Sequence, residues 1–174
     1  HRDLPPFPTP RSSDLLELVD HAAAGAATPV VPGQPAKLPK EVLVARATIL
    51  NQLGTTQWNI GKLEQSIEAY AEALVIYRAL GMQRPEARAL NNMGICFAAL
   101  GEYEEALAHY KSALKIDQAL GERSGLALKL GNIGQCYSDL GDMERAERYL
   151  GRALKVAEQT GDLTAAADAA VSWG

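Results

Sequence analysis

After Pro39 the apolar residues of this chain recur every three or four positions, the spacing that puts side chains on one face of a helix. Leu90, Met93, Gly94 and Phe97 form one such stripe, and Ala106, Tyr110, Ala113 and Leu114 form a second that can answer it. The pattern predicts helices near 39–60, 62–80, 84–100, 102–120, 124–140, 142–160 and 163–173. Gly61, Gly101 and Gly141 fall between members of a pair, and Gly81, Gly121 and Gly161 between pairs. Glycine just past a helix is the usual left-handed stop. No stretch alternates β-branched and polar residues as a strand would. The elements are helix-turn-helix hairpins.

The hairpins repeat. Blocks 41–80, 81–120 and 121–160 align without gaps, and seven of 40 columns are identical in all three. These columns are Ala47/Ala87/Ala127, Leu50/Leu90/Leu130, Gly54/Gly94/Gly134, Gly61/Gly101/Gly141, Glu64/Glu104/Glu144, Ala73/Ala113/Ala153 and Leu74/Leu114/Leu154. A fourth block starts at Gly161, and Gly174 stands in the column of Gly54. Counting from Ala47, Ala87 and Ala127, Gly at the eighth place and small residues at the twentieth and twenty-seventh would let two backbones approach closely.

This pattern resembles the tetratricopeptide repeat, in the 40-residue variety of kinesin light chain, spindle-orientation adaptors and many bacterial regulators. The resemblance covers 38–174: three full repeats and the start of a fourth, 161–174. It implies an all-α fold, an α-solenoid of stacked antiparallel hairpins wound into a right-handed superhelix. The first unit departs, with Gln57 where Phe97 and Tyr137 stand and Ser66 where Ala106 and Ala146 stand; Trp58 beside Gln57 can compensate.

Residues 1–37 belong to no repeat. His1–Leu15 carries prolines at 5, 6, 8 and 10 and no periodicity. It reads either as a disordered proline-rich tail or, especially in the run 11–15 (RSSDL), as translated sequencing adapter. Leu15–Ala27 has the spacing of a short helix, and Thr28–Pro39 reads as a linker. A first residue other than Met and a pattern stopping in mid-unit suggest a piece of a longer reading frame. Leu163, Ala166, Ala170 and Trp173 would then leave an apolar stripe uncovered at the C-terminal end, where weak self-association is expected.

Composition narrows the chemistry. Seventeen Lys and Arg against 21 Asp and Glu give the 174-residue chain a net charge of −4, with no basic surplus to advertise direct nucleic-acid binding. No apolar run approaches the roughly 18 residues of a membrane span, so no membrane role and a cytoplasmic location are expected. No P-loop, nucleophile elbow or HExxH run is present. Cys96 and Cys136 occupy one column; stacked helices roughly 9–10 Å apart hold such residues beyond disulfide reach, and both read as packing. His109 has no neighbouring ligand, and the acids Glu104, Glu105 and Glu144 suit helix starts. No catalytic residue, cofactor site or metal site is expected.

What remains is the face of the first helices away from the core stripe, places 2, 6, 9 and 13 with 5 and 12 beside them. In the first unit it carries Asn51, Gln52, Thr55 and Trp58; in the second Arg88, Asn91, Asn92 and Ile95; in the third Leu128, Asn132, Gln135 and Asp139. The resemblance implies that first helices line the inner wall of the superhelix, making one groove of these residues. Gln52, Asn92 and Asn132 form a polar ladder, and carboxamides carry both the donor and the acceptor that peptide backbone needs. In related arrays an Asn at this sixth place grips peptide backbone. The expected function is a non-catalytic module that binds a peptide or partner protein in the groove. The alternative is a sensor or scaffold segment of a larger bacterial regulator or enzyme whose active domain lies elsewhere.

Overall fold

The computed structural model describes residues 38–123 and 125–161. Within them the chain forms six helices: α1 (Lys40–Asn59), α2 (Leu63–Ala79), α3 (Gln83–Ala99), α4 (Tyr103–Leu120), α5 (Leu126–Asp139) and α6 (Met143–Thr160). No strand occurs among the described residues. Each helix packs on the next in the chain, and each first helix also touches the first helix of the following unit. This is an all-α solenoid of three hairpins, with boundaries within two residues of those the periodicity predicts. The tail 1–37, the short helix at 15–27 and the seventh helix at 163–173 lie outside the described residues.

The glycines between helices act through their backbone. Gly101 adopts φ 79°, a conformation that side chains disfavour. Its N–H donates to the Ala98 carbonyl at 3.0 Å, and the N–H of Glu102 donates to Phe97 at 2.9 Å. Together these bonds make the Schellman ending of a helix. The Glu102 carbonyl then accepts from Ala106 as α4 begins, so the chain reverses within three residues. The same paired bonds end α1, α2, α4 and α5. Gly125, at φ 71°, interrupts the second junction; α5 therefore starts at Leu126, three residues later in the repeat than α3 does at Gln83.

The eighth-place glycines act through the side chain they lack. A Cβ on Gly94 would sit 2.7 Å from Cδ1 and Cε1 of the buried Tyr110 ring, well inside van der Waals contact. On Gly54 it would meet the Tyr70 ring at 2.8 Å, and on Gly134 the Leu150 Cγ at 2.7 Å. A bulky residue of each second helix therefore rests directly on the backbone of its first helix. The buried cores run on either side of this contact, through Ala47, Tyr77 and Leu90 in one cluster and Leu130, Ile133 and Tyr137 in the next. Ser66 repairs the first unit's departure: its buried hydroxyl donates to the Gly54 carbonyl at 2.7 Å, which keeps the two backbones close where an alanine would otherwise do so.

The two inter-unit junctions are built from different chemistry. In the first, Tyr77 and Ala89 belong to one apolar cluster, and the Tyr77 hydroxyl is satisfied within its own unit, donating to the Ala47 carbonyl at 3.1 Å. In the second, the same two columns hold Asp117 and Lys129, joined by a 2.8 Å ion pair with both side chains largely buried.

Two predictions follow from these contacts. Gly94→Ala should destabilise by about 1–3 kcal/mol through overpacking against Tyr110. Gly131→Ala, whose new Cβ meets nothing within 4 Å, should stabilise by up to about 1 kcal/mol from helix propensity. Urea melts of the two variants should move in opposite directions. At the second junction, Asp117→Ala should cost about 3–5 kcal/mol because it strands a buried ammonium. The pair Asp117→Tyr with Lys129→Ala, which copies the first junction, should recover most of that loss in the same assay.

Candidate functional site

The open face of the first helices presents three carboxamides in register. Gln52 is exposed on α1, while Asn92 on α3 and Asn132 on α5 are half-buried. Their positions follow from the helical period: place six lies opposite the stripe that packs on the second helix, and the gapless 40-residue repeat returns it to the same side in every unit. Around them Thr55, Trp58, Arg88, Leu128, Gln135 and Asp139 are exposed, and Ile95 is half-buried against the second core cluster.

Local bonds already occupy part of this face. The Thr55 hydroxyl donates to the Asn51 carbonyl at 3.1 Å and lies 3.0 Å from the Tyr70 hydroxyl. Gln135 Nε2 donates to Asp139 Oδ1 at 3.0 Å, one turn along α5. These two residues therefore act as a unit, whereas Gln52, Asn92 and Asn132 make no side-chain hydrogen bond among the described residues.

Asn51 and Asn91 sit deeper than the sequence suggests. They are 8% and 7% exposed, and the Oδ1 of each is buried without a hydrogen-bond partner. A buried acceptor without a donor costs roughly 1–3 kcal/mol. The two occupy the same place on successive first helices; in the third unit that place is Gly131, where a Cβ would meet open space. Two unpaired carbonyl oxygens thus lie buried beneath the carboxamide ladder. Sequence alone marks place five only as flanking; burial depends on how closely neighbouring first helices stack.

Other candidate chemistry is absorbed by packing. Burial raises the Cys136 thiol to about 11 and raises Cys96, which lies 3.3 Å from the Ser66 hydroxyl. Both are free and buried. His109 stacks on Phe97 with ring centroids 5.1 Å apart, and burial lowers its pKa below the ordinary imidazole value. Among the described residues no cluster of three or more His, Cys, Asp or Glu is placed to hold a metal.

The tetratricopeptide repeat profile matches residues 45–119 and 86–159, which together span most of the hairpin array. The chain belongs to the tetratricopeptide repeat family. Solved structures agree with the repeat array. It is similar to the TPR domain of Arabidopsis FLU, with 25% identity, a TM-score of 0.64, and coverage of 70% of this chain and 99% of that one. It is similar also to BtubC (BKLC) from P. vanneervenii, at 27% identity and TM-score 0.62 over 66% of this chain and 48% of that one. A Rap protein complexed with Competence and Sporulation Factor matches at 26% identity and TM-score 0.61, over 67% of this chain and 33% of that one. No curated protein matches the chain in sequence. Tetratricopeptide repeats generally mediate protein–protein interaction. Among the described residues of this array, no helix is long and apolar enough to cross a membrane.

The thiols supply a pH prediction. Folding holds Cys136 as the neutral thiol, so its contribution to stability is whole below its ordinary pKa of 9.0 and is lost as pH rises towards about 11. At pH 8 iodoacetamide should therefore modify Cys136 about a hundredfold more slowly in the native array than in urea. Mass spectrometry of the alkylated protein checks this.

Proposed function

We propose that this tetratricopeptide array is a non-catalytic cytoplasmic module that binds an extended peptide, or an extended segment of a partner protein, along the open face of its first helices. Gln52, Asn92 and Asn132 would contact the peptide backbone, each able to donate and accept one bond. The observation that carries the reading is the register of these three accessible carboxamides, whose side chains make no hydrogen bond of their own among the described residues. Arg88 suits an acidic side chain of the ligand. Trp58, Ile95 and Leu128 offer apolar contact, and Thr55, Gln135 and Asp139 frame the polar track.

A second reading makes the array the sensor or scaffold segment of a larger regulator or enzyme. What supports it is that the chain spans 48% of BtubC and 33% of the Rap protein. Peptide binding by the array is common to both readings.

A peptide selected from a random library against the whole chain supplies the ligand for a test. Replacing Asn92 and Asn132 together with Ala should weaken it at least about tenfold, roughly 1.4 kcal/mol, by isothermal titration calorimetry. The melting temperature should stay unchanged. Unaltered affinity would remove the ladder from the binding site, and a lowered melting temperature would assign these residues to the fold.

A further inference from the structure

The second helices, with Tyr137 of α5, carry a feature that the groove does not use. In the third unit Tyr137 and Tyr149 stack with centroids 5.6 Å apart, and four cationic side chains close around them. Lys111 of α4 reaches across from the preceding unit: its Nζ donates to the Tyr137 hydroxyl at 2.7 Å and lies 5.1 Å from the ring centroid. The Arg145 guanidinium is 5.4 Å from the same ring. Arg148 and Arg152 lie 5.7 and 5.3 Å from the Tyr149 ring.

Packing does not require these cations. One unit earlier the same two columns hold Phe97 and His109, stacked at 5.1 Å, and there the columns of Arg145, Arg148 and Arg152 hold Glu105, Ala108 and Ser112. In the first unit they hold Gln65, Glu68 and Glu72. Down the array one surface therefore changes from acidic to basic while the fold beneath it stays constant. On α6 the basic positions 145, 148 and 152, continued by Lys155, fall within an arc of about 80°, and Glu144, Glu147 and Glu158 fall outside it. Arg145 shares its charge with Asp142 at 3.3 Å; Arg148 and Arg152 pair with no carboxylate among the described residues. Cation–π contact offsets only a small part of the repulsion among exposed cations. A cluster of like charge on a chain of net charge −4 is stabilised by an arriving anion.

We infer that the surface of α4 and α6 around Tyr137 and Tyr149 docks a carboxylate-rich polypeptide segment. Arg148 and Arg152 receive its carboxylates as bidentate partners, while Lys111 and Arg145 extend the field along the strand of negative charge. The occupant is acidic because four cations gather at the patch, and among the described residues only Arg145 is paired with a carboxylate, that of Asp142. The charged groups of this site stand on second helices and those of the proposed groove on first helices, the buried Tyr137 being the one part of the site on α5, and the site stands whether or not that groove binds peptide.

The test is fluorescence anisotropy of a fluorescein-labelled oligoglutamate peptide titrated with the whole chain, from about 50 to about 300 mM salt. The expected result is saturable binding that weakens with salt, and a loss of about tenfold or more in Arg148→Gln/Arg152→Gln with an unchanged melting temperature. Lys40→Gln/Lys62→Gln, which removes the same charge at the far end of the array, should bind as the parent does. So should Asn92→Ala/Asn132→Ala, so that failure here and failure of the groove are separately visible. No binding at the lowest salt would overturn the inference. So would an equal loss in the Lys40/Lys62 variant, which would reduce the effect to net charge. Equally tight binding of a sulfated oligosaccharide of matched charge, lost in the Arg148/Arg152 variant, would make the site a general polyanion surface and overturn the assignment to polypeptide.

Discussion

The contact between an eighth-place glycine and the bulky side chain facing it governs the hairpin geometry. Tyr70 on Gly54, Tyr110 on Gly94 and Leu150 on Gly134 each rest where a Cβ would stand less than 3 Å away. That approach sets how near two helices lie, and with it how their small residues interdigitate. Because each hairpin is set in the same way, the hairpins can stack on a common spacing, and any place in the repeat returns on the same side of the molecule. The register of the carboxamide ladder and the alignment of Tyr137 with Tyr149 both descend from this one steric allowance.

Within that frame the units tolerate chemical substitution where geometry is kept. Ser66 keeps the close approach by donating to the Gly54 carbonyl at 2.7 Å instead of presenting a methyl group. Asp117 and Lys129 replace Tyr77 and Ala89 with a 2.8 Å ion pair, a solution that depends on both partners being present. The junction holding that pair also carries Gly125 and the late start of α5. The second junction thus rests on fewer helical residues and on an interaction with a desolvation cost, so it is the weaker of the two.

The two faces of the array differ in what they offer a partner. The first helices present neutral carboxamides in register. The second helices present full charges whose sign changes along the array. Backbone recognition tolerates many side chains, whereas charge recognition selects among them, so a partner touching both faces would be chosen by the second and held by the first.

Periodicity and the seven repeated columns were enough to specify helices, turns, hairpin pairing and family, because each depends on spacing within about 40 residues. Positive φ at Gly61, Gly101 and Gly141 and close packing at Gly94 were legible for the same reason: glycine recurring at one place has few physical uses. The exposed members of the candidate groove were legible too, as helix positions opposite the apolar stripe. The depth of Asn51 and Asn91 was not, because burial at place five is decided by the neighbouring unit and not by the helix that carries it. Nor were the pairing of Asp117 with Lys129 or the gathering of Lys111, Arg145, Arg148 and Arg152 around two tyrosines. The chain alone shows each of these charges on its own helix; only the packing of one helix on another brings them within reach of a common partner, since Coulomb and cation–π energies depend on distance in space.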